Sequence, residues 1–295
     1  MIRRPTRSRR RRRRGIGGAG STGAPTREPA RSAAARGPLA LLAHQVRFDV
    51  LASMRNPRAR FFTFFFPILL LVIFAGVFGN GTTVVDGVRV ELDRFYVPGI
   101  LAMSIVGAAY GGLVMSVTSA RESGVLKRRR ATPVAPGLLV AGQALSTLTT
   151  AAITSTLLLV VAKLGYGVGI PAAGLTAIAG TVIVGSLAFA ALGYAVSGLV
   201  GSADAAQPIA QLTTMPLYFI SGVWIPNDNL PHALRTIASI FPIEHLAAAA
   251  HRASVHASWA AAVSPRDLGV LAVWAVAGCA LAAHRFSWLP STATA

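Results

Sequence analysis

The chain has 295 residues, of which 53% are hydrophobic and only 13% charged, yet its formal net charge is +18. A soluble domain carries about 25% charged residues and a disordered chain is poor in apolar ones, so both classes are excluded and a membrane protein is left. The single cysteine, Cys279, rules out an intrachain disulfide and any multi-cysteine metal site.

Residues 1–37 hold twelve of the 28 basic residues, including Arg9 to Arg14 without a break. No apolar run follows until Leu39, so the segment reads as a disordered cytoplasmic tail rather than a signal peptide. Clustered arginine is also a nucleic-acid footprint. No aromatic residue interleaves with these arginines and no binding fold follows, so no nucleic-acid partner is expected. From Pro38 to Arg60 the pattern becomes helical. Leu39, Leu42, Val46, Val50 and Met54 form one stripe, with Arg47, Arg55 and Arg58 on a neighbouring face. This predicts an amphipathic helix lying in the membrane interface.

Six stretches can then cross a bilayer, which takes about 20 mostly apolar residues each. They are Phe61 to Gly79, Val97 to Val117, Gly137 to Val161, Ala173 to Val200, Pro208 to Ile225 and Leu268 to Ala283. All should be helices, because lipid cannot satisfy an open strand edge. The predicted fold class is an all-α membrane protein with six spans, the interfacial helix before them and short extracytoplasmic helices before the last. Placing both termini in the cytoplasm puts 22 of the 28 basic residues inside, as positive-inside charge bias requires. Pro67 and Pro216 should kink the first and fifth spans. Gly107, Gly111 and Gly112 in the second span, and Gly193 with Ser197 in the fourth, read as close-packing faces.

The centre of each span lacks Asp, Glu, Lys and Arg, which argues against a proton-coupled pump, because such pumps bury titrating groups. Neither lysine, Lys127 nor Lys163, sits in G-x-x-x-x-G-K-[ST], so the chain has no P-loop and does not read as an enzyme. Any ATP would have to be hydrolysed by another polypeptide. H-E-x-x-H is absent, and His232, His245, His251 and His256 lack the spacing of a helical ligand pair, so no metal site is expected. The hydroxyl-rich third span contributes Ser146, Thr150 and Thr154, with Thr214 and Tyr218 from the fifth, as candidates for a weakly polar substrate path.

The most informative segment is Ser119 to Pro136. It opens on Arg121-Glu122, carries Lys127 to Arg130, and ends at Pro133 and Pro136 between two uncharged spans. By charge alone it is a positive-inside loop. Its pattern resembles the R-E-x-G-x-L…T-P loop of type-2 ABC exporter permeases, the group that includes daunorubicin-type drug-resistance permeases. The matching positions are Arg121, Glu122, Gly124, Leu126, Thr132 and Pro133. Ser221-Gly222-Val223-Trp224-Ile225-Pro226, then Leu230-Pro231 and Phe241-Pro242, resemble the same family's outer helices, and Arg285-Phe286-Ser287-Trp288 its basic-aromatic end. The arginine tail has no family counterpart.

The resemblance spans about Pro38 to Trp288 and implies a domain over 38–288 between the tail and a short cytoplasmic C-terminus at 289–295. It implies a plasma-membrane permease moving an amphiphilic drug-like or lipid-like substrate, or else a polysaccharide or glycolipid. An ATP-independent secondary transporter or channel is the reading from another class. The implied partners are a cytoplasmic ABC ATPase, which would hold ATP and magnesium, a second permease copy and lipid; no cofactor is expected in this chain. Arg121, Glu122, Gly124, Leu126, Lys127, Thr132 and Pro133 would couple to the ATPase. Phe62, Phe65, Leu217 and Phe219 would form the dimer interface.

Overall fold

The structure is a computed structural model that describes residues 38–55, 57–125 and 136–285. The predicted tail, the greater part of the basic loop and the C-terminal end lie outside the described residues. Helix α1 is Pro38–Arg55 and α2 is Phe66–Phe78, preceded by a π-helical turn at Phe61–Phe65. Strands β1 (Thr82–Val85) and β2 (Val88–Glu91) lead into α3 (Leu92–Val106). A second π turn, Gly107–Gly111, joins α3 to α4 (Gly112–Glu122). Then come α5 (Pro136–Tyr166), α6 (Ala172–Ser197), α7 (Ala203–Ile220), α8 (His232–Ala238), α9 (Pro242–Val255) and α10 (Pro265–Arg285).

Five of these helical stretches are long and apolar enough to cross a membrane: 61–78, 92–122, 137–166, 172–197 and 265–284. The predicted fifth span falls on α7, which is helical but more polar, with Gln207, Gln211, Thr213 and Thr214 along it. The second span extends beyond its predicted bounds at both ends. It starts at Leu92, directly after the hairpin, and runs to Glu122. It is also the centre of the molecule, with Ile100, Leu101, Ile105 and Leu113 fully buried and α2, α5, α6, α7 and α9 packed around it.

Local chemistry explains the departures from regular helix. Pro67 has no N–H to donate and comes second in α2, so the π turn before it takes up the misfit expected as a kink. The hairpin, absent from the predicted elements, has a legible cause. Asp86 and Gly87 both adopt positive φ, 49° and 78°, and pair Val85 with Val88, which is the Asp-Gly two-residue turn that antiparallel strands favour.

Three residues of the α1 stripe face protein. α1 packs on α5, Leu42, Val46 and Val50 are half-buried, and Gln45 Nε2 donates to the Leu139 carbonyl at 3.4 Å. Phe48 and Leu51, which lie off the stripe, are exposed at 58% and 42%. The glycine faces also divide. A Cβ on Gly193 would lie 3.1 Å from the Tyr110 carbonyl oxygen, so that predicted contact holds. Around Gly107 and Gly111 there is open space, so these glycines do not bring helices together within the chain. A tighter approach between long helices is elsewhere: a Cβ on Gly278 of α10 would meet Ala191 and Leu192 backbone of α6 at 2.9 Å. Gly278→Ala should therefore lower the unfolding midpoint of the purified protein. Gly107→Ala should leave it unchanged or raise it, since alanine is favoured over glycine by roughly 0.5–1 kcal/mol inside a helix. Equal midpoints for the two variants would contradict this packing.

Candidate functional site: the Arg121–Glu122 clasp

The final turn of α4 places two opposite charges side by side, and each meets a different helix end. Arg121 is only 5% exposed. Its Nη1 donates to the Ser197 carbonyl at 3.1 Å and its Nη2 to the Val200 carbonyl. These oxygens lie at the carboxyl end of α6, where unpaired carbonyls and the helix dipole concentrate negative charge. Glu122 Oε2 accepts from the backbone N–H of Ala203 at 2.8 Å, the first residue of α7, where the dipole is positive. Ser202 adds an N-cap, its Oγ accepting from Ala205 N at 3.3 Å. One dipeptide thus closes the α6–α7 turn from both sides.

Gly124 ends the helix that carries the pair. Its φ is +70° and its N–H donates to the Arg121 carbonyl at 3.1 Å. A Cβ there would meet nothing within 4 Å. The requirement for glycine is therefore one of backbone conformation, not of space. Leu126, Lys127, Thr132 and Pro133 lie outside the described residues.

The other predicted residues separate into groups. Phe62, Phe65 and Phe219 are exposed at 65%, 52% and 47%, and Leu217 is half-buried. Phe219 packs edge-on to Trp224 at 4.6 Å, and Trp224 stacks at 6.4 Å on Phe74, so Phe219 lies level with the far end of α2. Phe62 is twelve residues from Phe74, or about 18 Å along a helix. The two aromatic patches therefore sit at different depths along the bundle. Of the substrate-path residues, Thr214 and Tyr218 adjoin on α7, while Ser146, Thr150 and Thr154 lie along α5. Ser146, Thr154, Thr214 and Tyr218 are buried and Thr150 half-buried. The hydroxyls of Thr150, Thr154 and Thr214 donate to carbonyls one turn back at 3.0, 2.9 and 2.8 Å. The second span lies between α5 and α7, packing on both.

At the opposite end of the bundle, sequence reasoning passed over a buried ionic group. His245 of α9 is 3% exposed. Its Nδ1 meets the Asp267 carboxylate at 2.7 Å and its Nε2 the Ser239 carbonyl at 2.9 Å. A carbonyl can only accept, and the carboxylate also takes a hydrogen bond from Ser264 Oγ, so both ring nitrogens face acceptors, an arrangement that favours the imidazolium. Glu244 is 3.4 Å from Nδ1, and burial pushes its carboxyl above the usual range. Glu244, His245 and Asp267 offer ligand atoms within 4.8 Å of one another. The engagement of both ring nitrogens makes this a proton-holding network rather than a free ligand set. The signal available in the sequence was Glu244-His245 beside Ser264-Pro265-Arg266-Asp267, where a serine and an acid share a helix start.

Buried polar ends on a bundle of long apolar helices define a multi-pass membrane protein. The model of the ABC-2 type transporter family matches residues 43–252, and the chain belongs to that family. The domain is a transport component rather than a catalytic one, and domains of this kind generally work with an ATPase subunit. No curated protein matches the chain.

Two outcomes test these contacts. Arg121→Ala strands the Ser197 and Val200 carbonyls at about 1–3 kcal/mol per buried orphaned group. It should lower the thermal midpoint in detergent further than Glu122→Ala, whose partner N–H is exposed to solvent. Matching midpoints would show that the guanidinium braces nothing. For His245, the hydrogen bond from its ring to Asp267 raises its pKa above the ordinary histidine value, against the opposing effect of burial. Its contribution to stability is complete below about pH 6.5, the unfolded value, and is lost as pH rises through the higher folded value. Wild-type midpoints should fall across that window, and His245→Gln should flatten the fall.

Proposed function

We propose that this chain is the membrane-spanning permease of an ATP-driven exporter. It would work as a dimer in the plasma membrane, with both termini and the clasp on the cytoplasmic side, beside a separate ATPase that holds ATP and magnesium. The orientation is supported by the distribution of basic residues, 22 of 28 on that side. Six crossings, with α7 as the fifth, satisfy it. The uncharged span centres favour an amphiphilic drug-like or lipid-like cargo over a highly charged one.

The clasp is the observation that carries the reading. A loop that served only as a topology signal would have no use for a buried arginine or for a carboxylate on a neighbouring helix end. Here the last turn of α4, which leads into that loop, grips the α6–α7 turn. A push on the loop by an ATPase closing on nucleotide would reach α4, α6 and α7 together. Alternating access requires such a two-state element. Glu122 holds Ala203 within this chain. It therefore transmits motion more than it provides affinity.

The test separates those roles. Glu122→Ala should leave membrane insertion and ATPase co-purification near wild type but cut substrate-stimulated hydrolysis and transport. Glu122→Gln, which still offers an acceptor oxygen, should retain more of both. Gly124→Asn should be better tolerated than Gly124→Val, because asparagine adopts positive φ more readily. Wild-type transport in Glu122→Ala would reduce the segment to a topology signal.

A further inference from the structure

The packing of α1 on α5 turns the other side of α1 away from the bundle. His44, Arg47, Phe48, Leu51 and Arg55 are exposed and recur at three- and four-residue steps, so they share an arc of about 100° around the helix. Leu42, Gln45, Val46, Asp49 and Val50 are half-buried on the opposite side. Asp49 is the one acid in α1, so the outward face carries arginine and no carboxylate. Among the described residues, the arginines in ion pairs are Arg94, Arg235 and Arg252, all at the other end of the bundle. Arg47 and Arg55 stand about 12 Å apart along the helix. Between them lie Phe48 and Leu51, with the His44 ring 4.6 Å from that of Phe48.

Two connections fix the depth of this face. Arg55 lies shortly before Phe61, where a helical stretch of membrane-crossing length begins. The second connection is tighter. The Gln45 side chain sits against Gly142 and donates to the Leu139 carbonyl, in the first two turns of the 137–166 stretch. That stretch has 30 residues, or about 45 Å of helix, against a hydrocarbon core of about 30 Å. Its first turns therefore stand in the head-group layer, and the middle of α1 is level with them. A face directed away from the protein at that depth meets lipid first.

Aromatic and aliphatic side chains flanked by guanidinium groups fit an anionic phospholipid surface there. The apolar pair gains by entering the acyl boundary, and each guanidinium offers a fork of N–H donors to phosphate oxygens. A zwitterionic lipid also presents a phosphate, but offsets it with its own ammonium. We infer that the outward face of α1 binds anionic phospholipid, with Arg47 and Arg55 on head-group phosphates and Phe48 and Leu51 in the acyl boundary between them. This is the face opposite to the stripe that periodicity alone turns toward lipid. The choice of the cytoplasmic leaflet rests on the proposed orientation; the contact itself requires neither ATP nor a partner chain.

The test has to be local, because the twelve basic residues of positions 1–37 attract anionic lipid on their own. Leu51→Cys, made in the full chain with Cys279→Ala, is labelled with the fluorophore NBD and reconstituted in vesicles of phosphatidylcholine and phosphatidylglycerol. Quenching by spin-labelled forms of each lipid, at equal mole fraction, gives the lipid composition beside α1. The association ratio should favour phosphatidylglycerol at least about fivefold, the preference that one basic residue at a membrane surface supplies. Arg47→Gln combined with Arg55→Gln should bring the ratio toward one. Both positions are exposed, so folding should be unaffected. A probe introduced by Val273→Cys on α10, where the side chain is 68% exposed, should be quenched equally by both lipids. Equal quenching at Leu51, or a preference unchanged by the two glutamines, would overturn the assignment. So would a Leu51 probe that neither lipid quenches, which would set this face against a protein partner such as the ATPase. No transport or hydrolysis enters the measurement, so failure of the exporter reading would leave its outcome as it stands.

Discussion

A guanidinium withdrawn from water must give its N–H groups to something, and around Arg121 the acceptors are the free carbonyls at the end of a neighbouring helix. An arginine paired with a carboxylate would neutralise itself and leave that helix end unsatisfied. Arg121 does not pair with the adjacent Glu122; each side chain instead completes a helix terminus that the other cannot serve. Cation to carboxyl end and anion to amino end is the arrangement that the helix dipole favours on both sides. Reversing the two residues would set like partial charges against each other at both contacts. The order Arg-Glu, and not merely the presence of the two charges, is what ties the second span to the turn between the next two helices.

The bundle can rely on that tie because its interior offers little other polar anchorage. Hydroxyls such as those of Thr150, Thr154 and Thr181 are consumed by their own helices. Between helices, cohesion comes from close approach, with α10 against α6 at Gly278 and α9 against α6 at Gly174. Side-chain hydrogen bonds between long helices include Gln143 to Ser116 and Tyr166 to the Val72 carbonyl, both at 3.3 Å, and Tyr110 to Thr213 at 2.8 Å, which again joins the second span to α7. Contacts of this type hold distances without fixing rotations. The directional interactions cluster at the two ends, where the clasp and the His245 network lie.

Those facts mark out what was legible in the sequence. Apolar length announced the long helices, because hydrocarbon thickness sets it directly. The turn residues Asp86-Gly87 announced the hairpin just as clearly, but a search for bilayer-length segments passes over two four-residue strands. Burial was harder to read. Arg121 looked like a surface charge because nothing in its neighbours states that the Ser197 to Val200 carbonyls will arrive beside it from 76 residues away. The same holds for Gly107 and Gly193, two glycines in similar apolar runs, of which only the second faces another backbone. The depth mismatch between Phe62 and Leu217 follows from chain direction alone. In the six-span order expected from the sequence, the first and fifth run the same way, so residues at the start of one and near the end of the other belong to opposite faces. That much was legible from the alternation of spans.

Helix α7 connects the two polar ends. It begins at Ala203, on Glu122, and its last turn passes directly into Ser221 and Gly222 at the wall of a small cavity under the hairpin tip. Between those ends it carries Pro208 and Pro216, each of which removes a backbone hydrogen bond and softens the helix locally. A rigid rod held at one end would move its far end as a lever. A rod with two soft points can instead change its twist and bend between fixed ends. Gly222, at φ +70°, presents its carbonyl to His251 immediately beyond the helix. Any rotation of the last turn of α7 therefore acts first on the bond between the Gly222 carbonyl and His251. The physical path between clasp and cavity is thus a single helix, whose two prolines make it adjustable and whose ends are both tied by hydrogen bonds to named backbone atoms.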